Sequence, residues 1–175
     1  MTMVVWTHYE PYVPPVLGPP SEMTAREARL AYEEAMNSKS SRIGMLEAFA
    51  AINCAPFGAD SESVDGFGRW LVDNVAPDPT EPRRLADHWY SVVFDTGLWV
   101  GDLIIGENPK LNWRLQAGGR SHISFQKPVI GGYESDPRYS VDPDSYVAAL
   151  AHRGIAGRPV KASPIWEYVV TSAAD

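Results

Sequence analysis

The chain has 175 residues, 45% of them hydrophobic, and a formal net charge of −7 at pH 7. This length predicts a single domain that buries its core without metals or disulfides. The negative charge disfavours binding to phosphate backbones and suits a basic protein partner. No window holds the roughly 20 apolar residues of a membrane span. Residues 1–10 also lack the regions of a signal peptide, so we expect a soluble cytoplasmic protein.

Residues 1–22 are predicted to form an extended arm, because their five prolines remove hydrogen-bond donors and disfavour helix. Trp6, Tyr9 and Tyr12 predict that the arm packs on the body of the protein, and a mobile tail is the alternative. Residues 23–175 are predicted to form one α+β domain.

Four helices are predicted in the first half of this domain. A capping box at 24–27 begins the first helix, which the polar run 37–40 should end before a second helix over 41–53. A third helix begins near Ser61, and a long apolar fourth helix covers 82–105.

Three glycines and the single cysteine add predictions about packing and burial. Gly97 and Gly101 lie one turn apart on the fourth helix, a spacing that lets another backbone approach closely. Gly106 is a candidate cap for the end of that helix. The single cysteine, Cys54, lies in an apolar stretch and is predicted to be a buried, inert thiol.

Alternating residues over 111–126 predict a β-hairpin that turns at Gly118-Gly119. Trp113 and Phe125 should share its buried face, and Arg114 and His122 the other face. Pro128 predicts that any third strand lies at an edge. The fold class is therefore α+β, with several helices packed on a small antiparallel sheet or hairpin.

The last part of the chain predicts two further elements. Asp142-Pro143 provides an N-cap and first-turn pair for a fifth helix, which Gly154 should stop. The segment 163–170 fits a short helix or a strand.

The main polar pattern is formed by His88, Asp95 and Asp102, which recur every seven residues on the fourth helix. Each step rises about 10.5 Å, so these residues cannot converge on one metal ion. The other histidines lack ligand spacing, and Ser121-His122 lies outside any Gly-x-Ser-x-Gly elbow. We therefore expect no metal, no cofactor and no catalytic residue.

A partner-binding surface is the functional interpretation of this pattern. His88, Asp95, Trp99 and Asp102 would place an aromatic anchor within an acidic rim. The alternative is an ordinary solvated face of an amphipathic helix.

Three runs of sequence, 95–102, 109–113 and 127–133, resemble a pattern in small uncharacterised bacterial α+β proteins, some of them suspected immunity-type proteins. In those proteins a helical aromatic–aliphatic–Gly–acid step leads to a strand with a central Trp. Here the acid is Asp102 in place of Glu. The resemblance implies an α+β fold and a binding role, and it transfers no catalytic residue.

Composition, motifs and resemblance together predict a non-catalytic protein-binding protein, of the immunity type, that inhibits a basic toxin or another basic partner. One alternative is a small hydrolase or other enzyme with a dispersed site, such as His88 with Asp95 or His122. Another is a structural subunit that forms a homo-oligomer through the fourth helix.

Overall fold

The computed structural model describes residues 3–175 and confirms the α+β class, with five α-helices packed on a two-stranded antiparallel sheet. Within these residues no helix combines the length and apolar character needed to cross a bilayer. The helices are α1 (Ala25–Ile52), α2 (Ser61–Asn74), α3 (Asp87–Glu107), α4 (Pro143–Ile155) and α5 (Trp166–Ala173), and the strands are β1 (Asn112–Leu115) and β2 (Pro128–Gly131).

Helix α3 is the central element, and α1, α4 and α5 all pack on it. Apolar residues on most of its sides predict this central position, because each apolar side needs a cover. The helix begins at Asp87, not at residue 82, because Leu85 forms a bridge with Pro77 and Ala86 N donates to Ala76 O at 3.0 Å. It also continues through Gly106, and Asn108 is its C-cap.

The predicted break at 37–40 is wrong, because α1 is one continuous helix from Ala25 to Ile52. Polar side chains in its middle bond to the helix itself: the Ser38 hydroxyl donates to Glu34 O at 2.8 Å. Ala35 and Leu46, on either side of the polar run, are buried. The capping box formed by Thr24 and Glu27 is confirmed.

The predicted hairpin is wrong in its pairing. Strand β1 pairs with β2, with Trp113 opposite Ile130, and residues 116–127 form the connection. Val129 and Ile130 are fully buried, whereas Ile123 is 87% exposed and Phe125 only half-buried, so the observed pairing buries the more apolar segment. Trp113 is likewise only half-buried.

Strand β2 lies at an edge of the two-stranded sheet, as predicted, and Ile130 adds one isolated bridge to Val141 on its outer side. Pro128 fits there because it is the first residue of the strand, where a missing donor is tolerated.

The predictions for the last two helices are confirmed in part. Asp142 caps α4, accepting from Ser145 N at 2.9 Å, although the helix passes Gly154 and ends at Ile155. The final segment is a helix, α5. Cys54 corrects a further expectation: it follows the end of α1 in a left-handed turn with φ of 52°, which exposes its side chain.

Candidate functional site

The structure divides the four residues predicted to bind a partner between interior and surface. Asp95 and Trp99 are buried, at 0% and 5% exposure, whereas His88 is exposed and Asp102 is half-buried. Trp99 stacks on Phe57 at a centroid distance of 4.4 Å, so it belongs to the core. The prediction of Trp99 as an exposed anchor is therefore wrong, because neighbouring elements cover this side of α3.

Asp95 joins the arm to the body in a group that we call the arm clasp, formed by Tyr9, Arg42 and Asp95. The Arg42 guanidinium donates to both carboxylate oxygens of Asp95, at 2.8 and 2.6 Å. The Tyr9 hydroxyl donates to Asp95 Oδ2 at 2.5 Å, and Arg42 Nη1 donates to Glu10 O at 2.8 Å. Both oxygens of this buried carboxylate are thus satisfied, and its role is to hold the arm in place.

Asp102 has a similar structural role nearer the surface. Its Oδ1 accepts from Lys39 Nζ at 2.5 Å and from Trp113 Nε1 at 2.9 Å. A Cβ at Gly101 would lie 2.0 Å from the Trp113 ring, so glycine is needed for the ring to pack here. The backbone approach predicted at Gly101 is wrong, because the Trp113 side chain makes the close contact.

The residue pairs proposed for a dispersed catalytic site do not form. Asp95 is occupied by Arg42 and Tyr9, and the His88 ring lies 5.0 Å from that of Trp6. His122 is exposed in the 116–127 connection, where its Nδ1 accepts from Ser124 N at 3.1 Å. In the described part of the chain, no three metal-ligating side chains are grouped together.

A groove beneath the arm is the principal feature that sequence reasoning missed. Its volume is about 460 Å³, and its walls come from the arm, α1, α3, β1, the end of the 116–127 connection, and the starts of β2 and α4. The walls are mainly apolar and aromatic, which is typical of binding sites. Aromatic, polar and exposed apolar side chains in the lining include Tyr12, Leu17, Tyr32, Tyr90, Phe94, Gln126, Lys127 and Asp144.

Two of these residues, Gln126 and Asp144, present unpaired acceptors, and we call them the acceptor pair. Gln126 is 8% exposed; its Nε2 donates to Met23 O at 2.9 Å, whereas its buried Oε1 has no donor among residues 3–175. Burial, and then the nearby charge of Asp142, raise the pKa of Asp144 to about 6, against the opposing effect of Lys127. An unpaired acceptor away from water, as Gln126 Oε1 is, destabilises a fold by about 1–3 kcal/mol.

The position of Asp144 follows from the packing of α4 on α3. Asp144 is the second residue of α4, after Asp142 as the cap and Pro143 as the first residue. A Cβ at Gly97 would lie 2.8 Å from Asp144 Cα, so only glycine lets this turn lie against α3. The backbone approach predicted at Gly97 is therefore confirmed, and its consequence is to place Asp144 in the groove.

The backbone holds Gln126 in place. Its φ is 63°, a left-handed conformation that is uncommon for residues with a side chain, and its N donates to Gln116 O at 2.7 Å. Backbone strain of this kind often occurs at functional sites. The sequence signals for the groove are therefore indirect: Gly97 predicts a close contact, and the 142–144 turn reads as a cap only.

One basic side chain also borders the groove. Lys127 Nζ donates to Ser145 Oγ at 2.8 Å and lies 3.6 Å from Asp142 Oδ2, so a carboxylate already faces its charge. A second carboxylate, that of Glu34 on α1, lies close to the arm. Burial, and then the charge of Glu34, raise the pKa of Tyr12.

Comparison of the chain with protein-family models, with curated proteins and with solved structures gave no match. The interpretation of the groove therefore depends on its own geometry and chemistry.

Proposed function

We propose that the protein is a non-catalytic binding protein that recognises a basic protein partner through the groove beneath its arm. The observation that carries this proposal is the groove itself: a cavity of about 460 Å³ with apolar walls. The resemblance over 95–102, 109–113 and 127–133 supports a more specific form of the proposal, an immunity-type inhibitor of a basic toxin.

The rim of the groove supports a protein partner. Leu17 and Tyr90 line the groove and are 84% and 40% exposed. Exposed apolar and aromatic groups around a cavity are typical of interface centres, where they exclude water from the buried contacts. We expect an apolar part of the partner to cover these two side chains.

The charge of the chain supports a basic partner. The net charge is −7, and Glu10 and Glu34, near the arm, are exposed. Complementary charges speed association and are screened by salt. Binding should therefore weaken as the ionic strength rises, mainly through a slower association rate.

Self-association through α3, the alternative function, lacks such a surface. Helix α3 carries twelve buried residues and is covered by α1, α4 and α5 of its own chain. Sedimentation at several concentrations provides a direct check on any homo-oligomer.

The test uses Leu17→Asp and a matched control, Val170→Asp. Val170 is 47% exposed on α5, which does not contribute to the described groove lining. A basic protein from the native host should be retained by the wild type and the control, released by salt and lost with Leu17→Asp. The purified protein should then bind directly and, if it is a toxin, be inhibited by the wild type and the control only. Equal binding by all three forms, or no such protein, would contradict the proposal.

A further inference from the structure

We propose that the groove is a subsite for an arginine side chain of the partner, with the guanidinium bound by Gln126 and Asp144. This inference rests on the proposed function and adds the chemistry of the group that enters the cavity. It starts from two groups that line the groove: the buried Gln126 Oε1, which has no protein donor within residues 3–175, and the carboxylate of the half-buried Asp144. Buried acceptors are nearly always paired in folded proteins, so a bound group that supplies donors would complete the site.

The acceptors select a donor-rich cation. The Gln126 oxygen accepts only, and Asp144, with a pKa raised to about 6, is mostly ionised above pH 7. An anion would face this carboxylate, and a neutral alcohol would leave its charge unpaired. A guanidinium has five N–H donors in a planar fork, enough to serve a carboxylate and an amide oxygen of the same groove together.

The walls suit the rest of an arginine side chain. Tyr12, Tyr32, Tyr90 and Phe94 bring aromatic rings to the groove from the arm, α1 and α3. Aromatic faces attract cations, and guanidinium groups stack on them better than ammonium groups do. The methylene stem of arginine would in turn bury apolar surface against these rings.

Two positive charges near the groove oppose a bound cation, and they favour arginine over lysine as the group that binds. Lys127 borders the groove, although Ser145 and Asp142 hold its ammonium. The N-terminus of α4 also carries a partial positive charge near Asp144. A diffuse, weakly hydrated guanidinium tolerates these charges better than a compact ammonium does. Glu34, from α1, acts in the favourable direction.

The test titrates the full-length protein with n-butylguanidinium and with its neutral isostere n-butylurea, observed by NMR. We expect n-butylguanidinium to bind at least about tenfold more tightly, because its hydrogen bonds to the carboxylate are charge-assisted. Binding should shift the Asp144 side-chain carbonyl signal and lower the pKa of Asp144, since a nearby cation favours the ionised form.

Variants make the test specific. Asp144→Asn should abolish the preference for n-butylguanidinium over n-butylurea, whereas Asp73→Asn, at an exposed position on α2, should keep it. Lys127→Met should tighten n-butylguanidinium binding, because it removes an opposing charge. The NMR spectrum of each variant shows directly whether it is folded.

The possible results separate this inference from the proposed function. Equal binding of the two probes to the wild type, no binding of either, or an unchanged preference in Asp144→Asn would overturn the arginine subsite, even if a basic protein still binds at the rim. A specific n-butylguanidinium site would support the subsite, and absence of a basic partner would then count against the proposed function alone.

Discussion

The arm clasp and the acceptor pair each place a carboxylate beneath the same proline-rich arm, with opposite outcomes. In the clasp, Asp95 is fully buried and accepts from Arg42 and Tyr9. In the groove, Asp144 is only half-buried and has no protein donor within the described residues, and burial raises its pKa to about 6. Burial raises the pKa of both carboxylates, and their hydrogen-bond partners distinguish the structural role of Asp95 from the open position of Asp144.

The energetic consequences follow from that difference. A saturated buried ion pair offsets most of its desolvation cost, so it can serve the fold. An unpaired carboxylate opposes folding and is more easily understood as part of a binding site, since binding sites often reduce stability. Variants of the two carboxylates and of Gly97 test this contrast, and a variant of the Lys39–Asp102 pair adds a reference nearer the surface.

The largest effect is expected for Asp95→Leu, which leaves the Arg42 guanidinium buried without its partner. Breaking a buried ion pair in this way costs about 3–5 kcal/mol, measured by urea denaturation. The double variant Arg42→Met with Asp95→Leu should recover much of this loss, because no charge then remains buried. A single variant nearly as stable as the wild type would mean that the clasp does not hold the arm.

Asp144→Asn should have the opposite sign and stabilise the protein by about 2–3 kcal/mol at pH 7.5. This figure follows from a pKa of about 6 in the folded protein, about two units above the ordinary value, at about 1.4 kcal/mol per unit. Chemical denaturation at several pH values measures it.

The pH dependence of this effect provides its control. The folded state holds the Asp144 proton more tightly than the unfolded chain, because the pKa of Asp144 is raised to about 6. Below about pH 4 Asp144 is protonated in both states and does not oppose folding. As the pH rises through about 6 the folded state must give up its proton, and the protein loses stability. The advantage of Asp144→Asn should vanish below pH 4, and a destabilised variant at pH 7.5 would contradict the unpaired state.

A smaller effect is expected for Gly97→Ala, which tests how Asp144 is placed. The new Cβ would lie 2.8 Å from Asp144 Cα, and such overpacking costs about 1–3 kcal/mol. Gly44→Ala, on α1, is the matched control, because a Cβ there meets nothing within 4 Å in the described chain. The control should gain up to about 1 kcal/mol from helix propensity. Equal gains in thermal stability for both variants would argue against the close contact.

The smallest effect is expected for Lys39→Ala, which removes the ion pair with Asp102. The two side chains are 23% and 36% exposed, and ion pairs near the surface contribute only about 0–1 kcal/mol. Trp113 Nε1 remains as a donor to Asp102. If Lys39→Ala lowered the free energy of unfolding as much as Asp95→Leu does, the expected energetic difference between surface and buried ion pairs would be wrong.

Some helix caps and helix starts, which depend on residues close together in the chain, were predicted correctly from the sequence. The capping box at Thr24, the start of α2 near Ser61 and the cap of α4 at Asp142 are all formed as predicted. The backbone contact at Gly97 was also predicted from its sequence, whereas the contact at Gly101 comes from the Trp113 side chain. Each correct prediction depends on the chemistry of a few consecutive residues or on the period of one helix, which the sequence displays directly.

Local sequence could not predict the continuity of α1, the pairing of β1 with β2, or the burial of Asp95 and Trp99, because each depends on tertiary contacts. These outcomes depend on contacts between distant residues: Arg42 reaches Asp95 across 53 positions. The groove arises in the same way, from elements spread over the arm, α1, α3, β2 and α4. A local pattern shows that a side chain is apolar or charged, but the elements that cover it determine whether it is core, clasp or site.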